Sequence, residues 1–308
     1  MPDNELPSDV QRLLDERSTA REARDWSKAD ALRAELAALG WEPQDGNSGS
    51  TARPILADAQ RDESASLLDL PAEVAASVQV VADDHPEDLA RFLGALSAHA
   101  PSVTWELVVV ADAPTFDVDA VVESARLPLV PTVLDSDGRL GWGGSRTLGM
   151  RRSRGEITIL VDTSIEPVGD FVTPLVTAFD DERVGIAGGW GVTSGDGREF
   201  VEAPPGDVDA VEGYCLAIRR EALRGVGGVD RRFRFYRNAD LDLSFAVRDA
   251  GWSAVRTEPL PLERHEHRGW TSLPDDERDR LSRRNFYRFL DHWGNRRDLL
   301  LHPDPIDP

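Results

Sequence analysis

Acidic side chains stand directly after three strongly apolar segments of this sequence. Asp83 and Asp84 follow the first segment, Asp112 follows the second, and Asp162 with the nearby Glu166 follows the third. Carboxylates grouped in this way can hold a divalent cation, accept hydrogen bonds from a nucleoside, or only solvate loops. A single loop aspartate most often serves the last purpose, so the placement of the three segments decides among these roles.

Short apolar runs alternate with helix-like stretches from about residue 74 onward. The predicted strands are 78–82, 105–111, 130–133, 157–161 and 184–189, and the predicted helices are 86–96, 117–125, 143–152 and 171–179. This alternation is typical of an α/β fold with a mostly parallel sheet. Ligands bind such sheets beyond the carboxyl ends of the strands, so we expect the aspartates to share one edge and to form a common site.

Three other segments have a different pattern. Residues 7–41 predict a helical hairpin, because apolar residues recur at helical spacing on both sides of a break at Asp25, and Gly40 suits the end of a helix. Residues 42 to about 70 are polar and lack periodicity, which indicates a linker. Residues 274–300 predict an amphipathic helix that packs on the domain or on a partner.

Composition excludes several classes of ligand. The 308 residues include 35 basic and 56 acidic side chains, for a formal net charge of −21. This charge disfavours DNA, RNA and anionic membranes, although a local basic pocket for a small phosphorylated ligand stays compatible with it.

Cys215 is the only cysteine, which excludes an internal disulfide and a multi-cysteine metal site. With no secretory signal and no apolar run near ~20 residues, we expect a cytoplasmic bacterial protein without a membrane span.

Three segments, in a set order, resemble a known enzyme family. They are LGWGGSRTLGMRRSRGEITILVDTSIEP (140–167), EGYCLAIRREALRGVGGVDRRF (212–233) and FYRNADLDLSFAVRDAGW (235–252). Residues 77 to about 270 resemble family 2 glycosyltransferases. The resemblance implies a GT-A fold, the Rossmann-like α/β fold of nucleotide-diphospho-sugar transferases, over 74–300.

The resemblance also implies an activity. Such an enzyme moves a sugar from a nucleotide-diphosphate sugar to an acceptor hydroxyl, here with inversion at the sugar carbon. The acceptor stays open among a glycan, a lipid-linked molecule and a small molecule. The alternative is a catalytically degenerate member of the family that binds a nucleotide sugar or a partner without transfer.

Donor-binding roles follow by matching positions to the family pattern. Asp112 matches an aspartate that contacts the nucleoside, with Ala111 in place of its usual neighbour. Asp83 or Asp84 is expected to face the same nucleoside. Arg146 matches the arginine of an Arg-Asn-x-Gly helix, which implies pairing with phosphate.

The metal motif of the family is incomplete in this sequence. Asp162 matches the first aspartate of Asp-x-Asp, but Ser164 stands where the second should be. His265 or His267 matches a histidine that can ligate the metal in related enzymes. The implied cofactor is Mn²⁺ or Mg²⁺, which stabilises charge on the diphosphate leaving group. With one carboxylate, we expect weak binding of free metal and better binding with a nucleoside diphosphate.

The catalytic base follows from the third segment. Asp240 matches the aspartate of the family's Glu-Asp pair, with Ala239 in the glutamate position, and Asp242 follows in register as a second catalytic candidate. The resemblance implies that Asp240 accepts the proton of the acceptor hydroxyl. The alternative is that both aspartates only cap the helix that follows.

The N-terminal hairpin has a resemblance of its own. Residues 13–45, LLDERSTAREARDWSKADALRAELAALGWEPQD, resemble the C-terminal helical segment of cysteinyl-tRNA synthetases. The expected organisation is a hairpin at 1–45, a linker at 46–73 and the transferase domain at 74–300. Ligase activity is not expected, because the zinc-binding cysteines and nucleotide-binding motifs of a synthetase are absent. Nine acidic and six basic residues in 1–41 favour a docking element over a tRNA-binding module, and an RNA-associated adaptor is the third class of function.

Overall fold

Two units make up the chain, residues 1–65 and 66–308. The computed structural model describes residues 8–23, 25–39, 41–46, 49–54, 66–136 and 138–305. Within these residues, no helix has both the length and the apolar character that crossing a membrane requires.

The N-terminal unit combines a helical hairpin with a strand pair. Helices α1 (Ser8–Glu22) and α2 (Trp26–Ala38) confirm the predicted hairpin. Their packed faces bury seven apolar residues, Val10, Leu13, Leu14, Ala20, Ala29, Leu32 and Leu36. Strands β1 (Trp41–Gly46) and β2 (Gly49–Pro54) then pair in antiparallel register.

This strand pair corrects the linker that was predicted from residue 42 and placed at 46–73. The first part of that segment is an ordered β-hairpin, which the polar composition did not reveal. The alternating apolar pattern that predicts a strand is missing from these residues, so the pairing of β1 with β2 could not be read from hydrophobic periodicity.

A sheet of eight strands forms the centre of the described C-terminal unit. In spatial order the strands are β11 (Gly206–Val208), β14 (Ser253–Arg256), β8 (Val184–Gly188), β13 (Cys215–Arg219), β6 (Gly155–Val161), β3 (Val74–Ala82), β4 (Trp105–Ala111) and β5 (Thr132–Asp135). Strands β6, β3, β4 and β5 are parallel, whereas β13 runs antiparallel between β6 and β8. The predicted α/β fold with a mostly parallel sheet is confirmed. The direction of β13 was not predictable, because a buried strand is equally apolar in either direction.

Helices and two small sheets surround the central sheet. The helices are α3 (Pro86–Ala98), α4 (Val118–Ser124), α5 (Trp142–Arg152), α6 (Val172–Thr177), α7 (Arg220–Val226), α8 (Ala239–Asp249), α9 (Arg268–Thr271) and α10 (Asp275–Trp293). One small sheet joins β9 (Gly191–Thr193) to β10 (Val201–Glu202) and β12 (Ala210–Val211), and the other joins β7 (Ile165–Pro167) to β15 (Leu262–Arg264).

Strand β3 lies where the strand order reverses. The chain runs outward from β3 through β4 to β5, and α5 then carries it back to β6 on the other side of β3. In open α/β sheets the binding crevice forms at such a reversal, beyond the carboxyl ends of the strands. Asp83 follows β3 and Asp162 follows β6, so both aspartates flank this crevice.

The C-terminal unit begins earlier than residue 74. A short 3-10 turn at Leu67–Asp69 buries Leu68 in the apolar cluster that α7 and α8 also enter. The guanidinium of Arg220 donates to the backbone carbonyls of Leu67 and Leu70. These contacts place residues 66–70 in the folded unit rather than in a linker.

We therefore expect a protein that begins at Ser66 to unfold cooperatively with the stability of the intact C-terminal unit. A protein that begins at Glu73 lacks Leu68 and two carbonyl partners of Arg220, those of Leu67 and Leu70, and should lose about 2–5 kcal/mol of unfolding free energy. Guanidinium denaturation followed by circular dichroism compares the two. Equal stability would show that 66–72 contribute nothing to this unit.

Candidate active site

A cavity of about 550 Å³ brings together three of the predicted site residues. Asp162 comes from the end of β6, Asp240 from the first turn of α8, and His267 from the residue before α9. Trp142, at the start of α5, also lines the cavity. The crevice expected at the carboxyl end of the sheet is therefore present and carries ionisable groups.

Asp162 is held by contacts on both carboxylate oxygens. Its Oδ1 accepts hydrogen bonds from the Ser164 amide at 2.9 Å and from the Ser164 hydroxyl at 2.6 Å. Its Oδ2 lies 3.5 Å from Nε2 of His267. The His267 ring stacks on Tyr236, with 4.4 Å between the ring centroids, so the imidazole is fixed in its orientation toward Asp162.

Charge interactions keep this aspartate ionised. Burial alone would raise the pKa of Asp162, but the contacts with His267 and Ser164 and the charge of Arg146 hold it well below its usual value. Burial alone would lower the pKa of His267, but its interaction with Asp162 raises it above the ordinary histidine value. The pair therefore offers a carboxylate and an imidazole side by side.

The same residues fit a divalent cation. An N···O separation of 3.5 Å allows Nε2 and Oδ2 to ligate one ion, and the Ser164 hydroxyl adjoins the same carboxylate. The buried Nδ1 of His267 has no hydrogen-bond partner among the described residues, so Asp162, beside Nε2, is the acceptor that this ring faces. One imidazole, one carboxylate and one hydroxyl form a donor set that suits Mn²⁺ better than Mg²⁺.

Arg146 is structural, which corrects its predicted pairing with phosphate. Its guanidinium is buried and donates to the carbonyls of Gln79 in β3 and Val161 in β6, at 3.2 and 2.9 Å. Burial lowers the pKa of Arg146 to about 10, and the charges of Asp162 and Asp83 oppose that shift. The arginine stays protonated, ties two strands together and places a positive charge behind Asp162.

Asp240 lines the cavity and is fixed by the backbone. Its Oδ2 accepts from the amide of Gly213 at 2.8 Å and its Oδ1 from the amide of Leu241 at 3.0 Å. Burial raises the pKa of Asp240, against the effect of these hydrogen bonds. The sequence left two roles open for Asp240, catalytic base and helix cap. Its carboxylate accepts a hydrogen bond from an amide in the first turn of α8 and also faces the cavity, so its position is compatible with both roles.

Glu212 is a cavity residue that the sequence analysis did not single out. It lines the same cavity as Asp240, and burial together with the charge of Asp240 raises its pKa. It precedes the antiparallel strand β13, whose amino-terminal end points to the site. The segment EGYC carried the family resemblance, but no spacing rule indicated that a residue before a strand would reach the site.

Two predicted nucleoside contacts have other partners. Asp112 accepts from the amides of Leu140 and Gly141, at 2.6 and 2.9 Å, and so holds the loop that leads into α5. Asp84 is exposed and forms an ion pair with Arg139 at 2.7 Å. Neither carboxylate lines the cavity that contains Asp162 and Asp240, and their contact with a nucleoside stays a prediction.

The two remaining candidates, Asp83 and His265, differ in their position relative to Asp162. Asp83 stays beside the site, because the charge of Asp162 contributes to its raised pKa, whose largest cause is burial. His265 instead contacts Glu166, with 2.6 Å between Nε2 and Oε2. Pairing of β15 with β7 produces this arrangement, since Arg264 lies opposite Ile165. His265 is therefore corrected from metal ligand to partner of Glu166.

Asp242 points away from the cavity, which corrects its role as a second catalytic residue. Its Oδ1 accepts from His292 at 2.7 Å and from the Trp293 indole at 2.8 Å, both on α10. Asp230, Asp242 and His292 have ligand atoms within 4.8 Å of one another. The guanidinium of Arg232 already contacts His292 and Asp230, at 2.6 and 2.7 Å. Arg232 therefore supplies the positive charge that balances these two aspartates.

Comparison with known proteins identifies the family. Residues 77–259, more than half of the chain, match the family model described as glycosyl transferase family 2. The chain belongs to glycosyl transferase family 2. The resemblance stated from the three sequence segments is thus confirmed.

Solved structures confirm the GT-A fold of this family 2 chain. GalNAc-T7, solved with UDP, GalNAc and Mn²⁺, has a TM-score of 0.59 and 15% identity, over 73% of this chain and 50% of its own. The mannosyltransferase PcManGT of Pyrobaculum calidifontis, solved with GDP-Man and Mn²⁺, has a TM-score of 0.50 and 19% identity, over 60% of this chain and 55% of its own. At these identities the likeness shows the fold alone.

The N-terminal unit matches a different group of proteins. Residues 3–41 match the family model described as the cysteinyl-tRNA ligase anticodon binding domain. A cysteine–tRNA ligase of Phenylobacterium zucineum (strain HLK1) is 53% identical over 51 residues, which is 17% of this chain and 11% of the ligase. The ligase of Chlamydia caviae is 40% identical over 53 residues, again 11% of its length. The chain spans about a tenth of the curated relatives that it matches.

Replacing Asp242 tests the assignment of this residue to packing. Asp242→Ala removes the acceptor of His292 and Trp293, and we expect a loss of about 1–3 kcal/mol in unfolding free energy without loss of nucleotide binding. Chemical denaturation measures the loss. The control is Asp291→Ala, at an exposed position of α10, the helix of His292 and Trp293. It should change stability by less than about 0.5 kcal/mol. Unchanged stability with abolished turnover would return Asp242 to the reacting groups.

Proposed function

We propose that the C-terminal unit transfers a sugar from a nucleotide-diphosphate sugar to an acceptor hydroxyl, with inversion. The observation that carries this proposal is the meeting of Asp162, His267 and Asp240 in one cavity at the reversal point of the sheet. Membership of family 2 supports the reaction class. The nucleotide sugars and Mn²⁺ found with the two similar structures support the kind of donor and cofactor.

Asp162, Ser164 and His267 would hold a divalent cation. When bound, the cation neutralises charge that builds on the departing diphosphate. His267, Ser164 and the charge of Arg146 together keep Asp162 ionised, and Tyr236 stacks on the His267 ring. The protein thus presents these groups in position before any ligand arrives.

Asp240 takes the proton of the acceptor hydroxyl in this proposal. The amides of Gly213 and Leu241 each use one lone pair of the carboxylate, and each oxygen keeps a second lone pair for a substrate. Burial moves the pKa of Asp240 upward, toward the range in which a carboxylate is an effective base. Glu212, beside it, is the second carboxylate that an acceptor would meet.

Binding without transfer is the alternative function. The observation that favours it is Ser164, which leaves one carboxylate where the family uses two. The placement of Asp240 on the same cavity favours catalysis instead, because a protein that only binds a nucleotide sugar has no use for a buried base. The acidic N-terminal unit is proposed as a docking element rather than an RNA-binding one, because of its excess of acidic residues.

Substituting Asp240 and Glu212 separately tests which of these two carboxylates is the catalytic base. Asp240→Asn should lower turnover roughly 10²–10⁴-fold while nucleotide affinity is kept, because the amide cannot accept the proton. Glu212→Gln should lower it less than Asp240→Asn. The measurement is release of nucleoside diphosphate from a panel of nucleotide sugars and acceptors.

The pH dependence provides a control for this assignment. A base must be deprotonated, so turnover should fall as pH drops through the raised pKa of Asp240. The acid limb of the kcat/KM profile should therefore lie above pH 3.8, the ordinary value of an aspartate. Equal turnover of wild type and Asp240→Asn would remove Asp240 from the mechanism, and nucleotide-sugar binding without any turnover would establish the alternative function.

Metal binding should depend on nucleotide. Calorimetry is expected to show weak Mn²⁺ binding to the free protein and binding at least about tenfold tighter with UDP or GDP present, since the diphosphate supplies anionic ligands. Asp162→Ala and His267→Ala should each abolish the tighter binding. His265→Ala is the matched control and should leave it unchanged. Tight Mn²⁺ binding to the free protein would contradict the argument from a single carboxylate.

A further inference from the structure

Three arginines give one wall of the cavity a positive charge. Arg198 follows β9, Arg237 precedes α8, and Arg283 lies on α10, and all three line the cavity with exposed side chains. Within the part of the chain that the structure describes, the guanidinium groups of Arg198 and Arg283 have no hydrogen-bond or ion-pair partner. Arg237 lies over the ring of Trp270, 5.4 Å from its centroid.

These cations are unusual for their surroundings. The protein carries a net charge of −21, and neighbouring arginines of α10 have carboxylate partners, such as Arg280 with Glu277 at 2.6 Å. Arg284, next to Arg283, lies among like charges: burial and the charges of Arg288 and Arg280 lower its pKa. Arg198 and Arg283 therefore bring positive charge to the cavity that no described side chain pairs with, and such charge is suited to an anionic ligand.

The arginines share their wall with Asp240. Phe200, two residues after Arg198, packs on Phe245 of α8 and on Phe289 of α10. The amide of Asn285 on α10 donates to the carbonyls of Phe235 and Arg237, at 2.7 and 2.9 Å. Helix α10, the loop after β9 and the start of α8 thus form one packed wall, to which Asp240 belongs.

A nucleotide-sugar donor and an anionic acceptor would bring two negative charges to this cavity. The diphosphate of a donor belongs at the strand edge, where Asp162 and His267 would hold its cation. A positive wall beside the base faces the molecule whose hydroxyl Asp240 deprotonates. Guanidinium groups bind phosphate through paired N–H donors, and a phosphomonoester carries up to two charges where a carboxylate carries one.

We propose that the acceptor carries a phosphate group, bound by Arg198, Arg237 and Arg283 while its hydroxyl faces Asp240. This inference rests on the proposed function and names the acceptor class of the same site. The phosphate can belong to a soluble sugar or polyol phosphate or to a lipid-linked one, since the contacts are the same.

A matched set of small probes tests the proposal on the full chain. Glycerol 3-phosphate, glycerate and glycerol share a polyol but carry a phosphate, a carboxylate and no charge. Their affinities are measured by calorimetry with and without saturating UDP or GDP and Mn²⁺. Vesicles of phosphatidylcholine with and without phosphatidic acid, which carries a phosphomonoester, form a second arm, in which binding that requires phosphatidic acid shows that a lipid can supply the phosphate.

We expect glycerol 3-phosphate to bind at least tenfold more tightly than glycerate, with glycerol weakest, and to bind alongside the nucleotide. The double variant Arg198→Ala/Arg283→Ala should weaken it at least tenfold and leave nucleotide affinity unchanged within twofold. Arg280→Ala also removes one positive charge from α10, but Arg280 does not line the cavity that contains Asp240. This variant should change the affinity for glycerol 3-phosphate less than twofold.

Several outcomes would overturn the proposal. Equal affinity for glycerate and glycerol 3-phosphate would remove the preference for phosphate. An equal loss in Arg280→Ala would show only the effect of net charge. Competition with UDP or GDP, or loss of nucleotide affinity in the double variant, would assign the arginines to the donor. Failure of every nucleotide to bind would defeat the proposed function, whereas the response of glycerol 3-phosphate to the double variant would still report on the anion site.

Discussion

The buried guanidinium of Arg146 is the interaction on which the rest of the site depends. It bonds carbonyls of β3 and β6, the two strands between which the sheet reverses its order. A cation enclosed this deeply is stable only with acceptors and negative charge around it, and Asp162 with Asp83 provides that charge. The same guanidinium therefore joins the strands and adds its charge to the contacts of His267 and Ser164, which together hold the pKa of Asp162 low.

A second set of contacts builds the opposite wall. Asp242 receives hydrogen bonds from His292 and Trp293, and Asn285 bonds the backbone that carries Arg237. Aromatic packing between α8 and α10 completes the joint. Asp240, at the start of α8, is therefore oriented both by this packing and by the amide of Gly213, which precedes β13.

The sequence was sufficient for the fold and for part of the site. Strand 105–111 is predicted to the residue, because a short continuous run rich in valine is typical of a strand buried on both faces. Asp162, His267 and Asp240 do meet in the cavity. The partners of Asp112 and of His265 were not predictable. A carboxylate looks the same whether it faces a ligand or a loop amide, and only the pairing of β15 with β7 decides which histidine turns toward Asp162. Glu212 was not predicted as a site residue, because its position at the cavity depends on the antiparallel direction of β13.

The antiparallel direction of β13 has a consequence for how such an enzyme diversifies. Parallel strands bring only the residues that follow them to the binding edge, but β13 brings the residues that precede it, including Gly213, whose amide orients Asp240. The segment from β9 to β13 is therefore anchored at both ends beside the cavity. Under the proposed function, changes of length or sequence in that segment would remodel the wall near Asp240 and leave the ends of β3 and β6 intact, so that acceptor preference could evolve separately from donor binding.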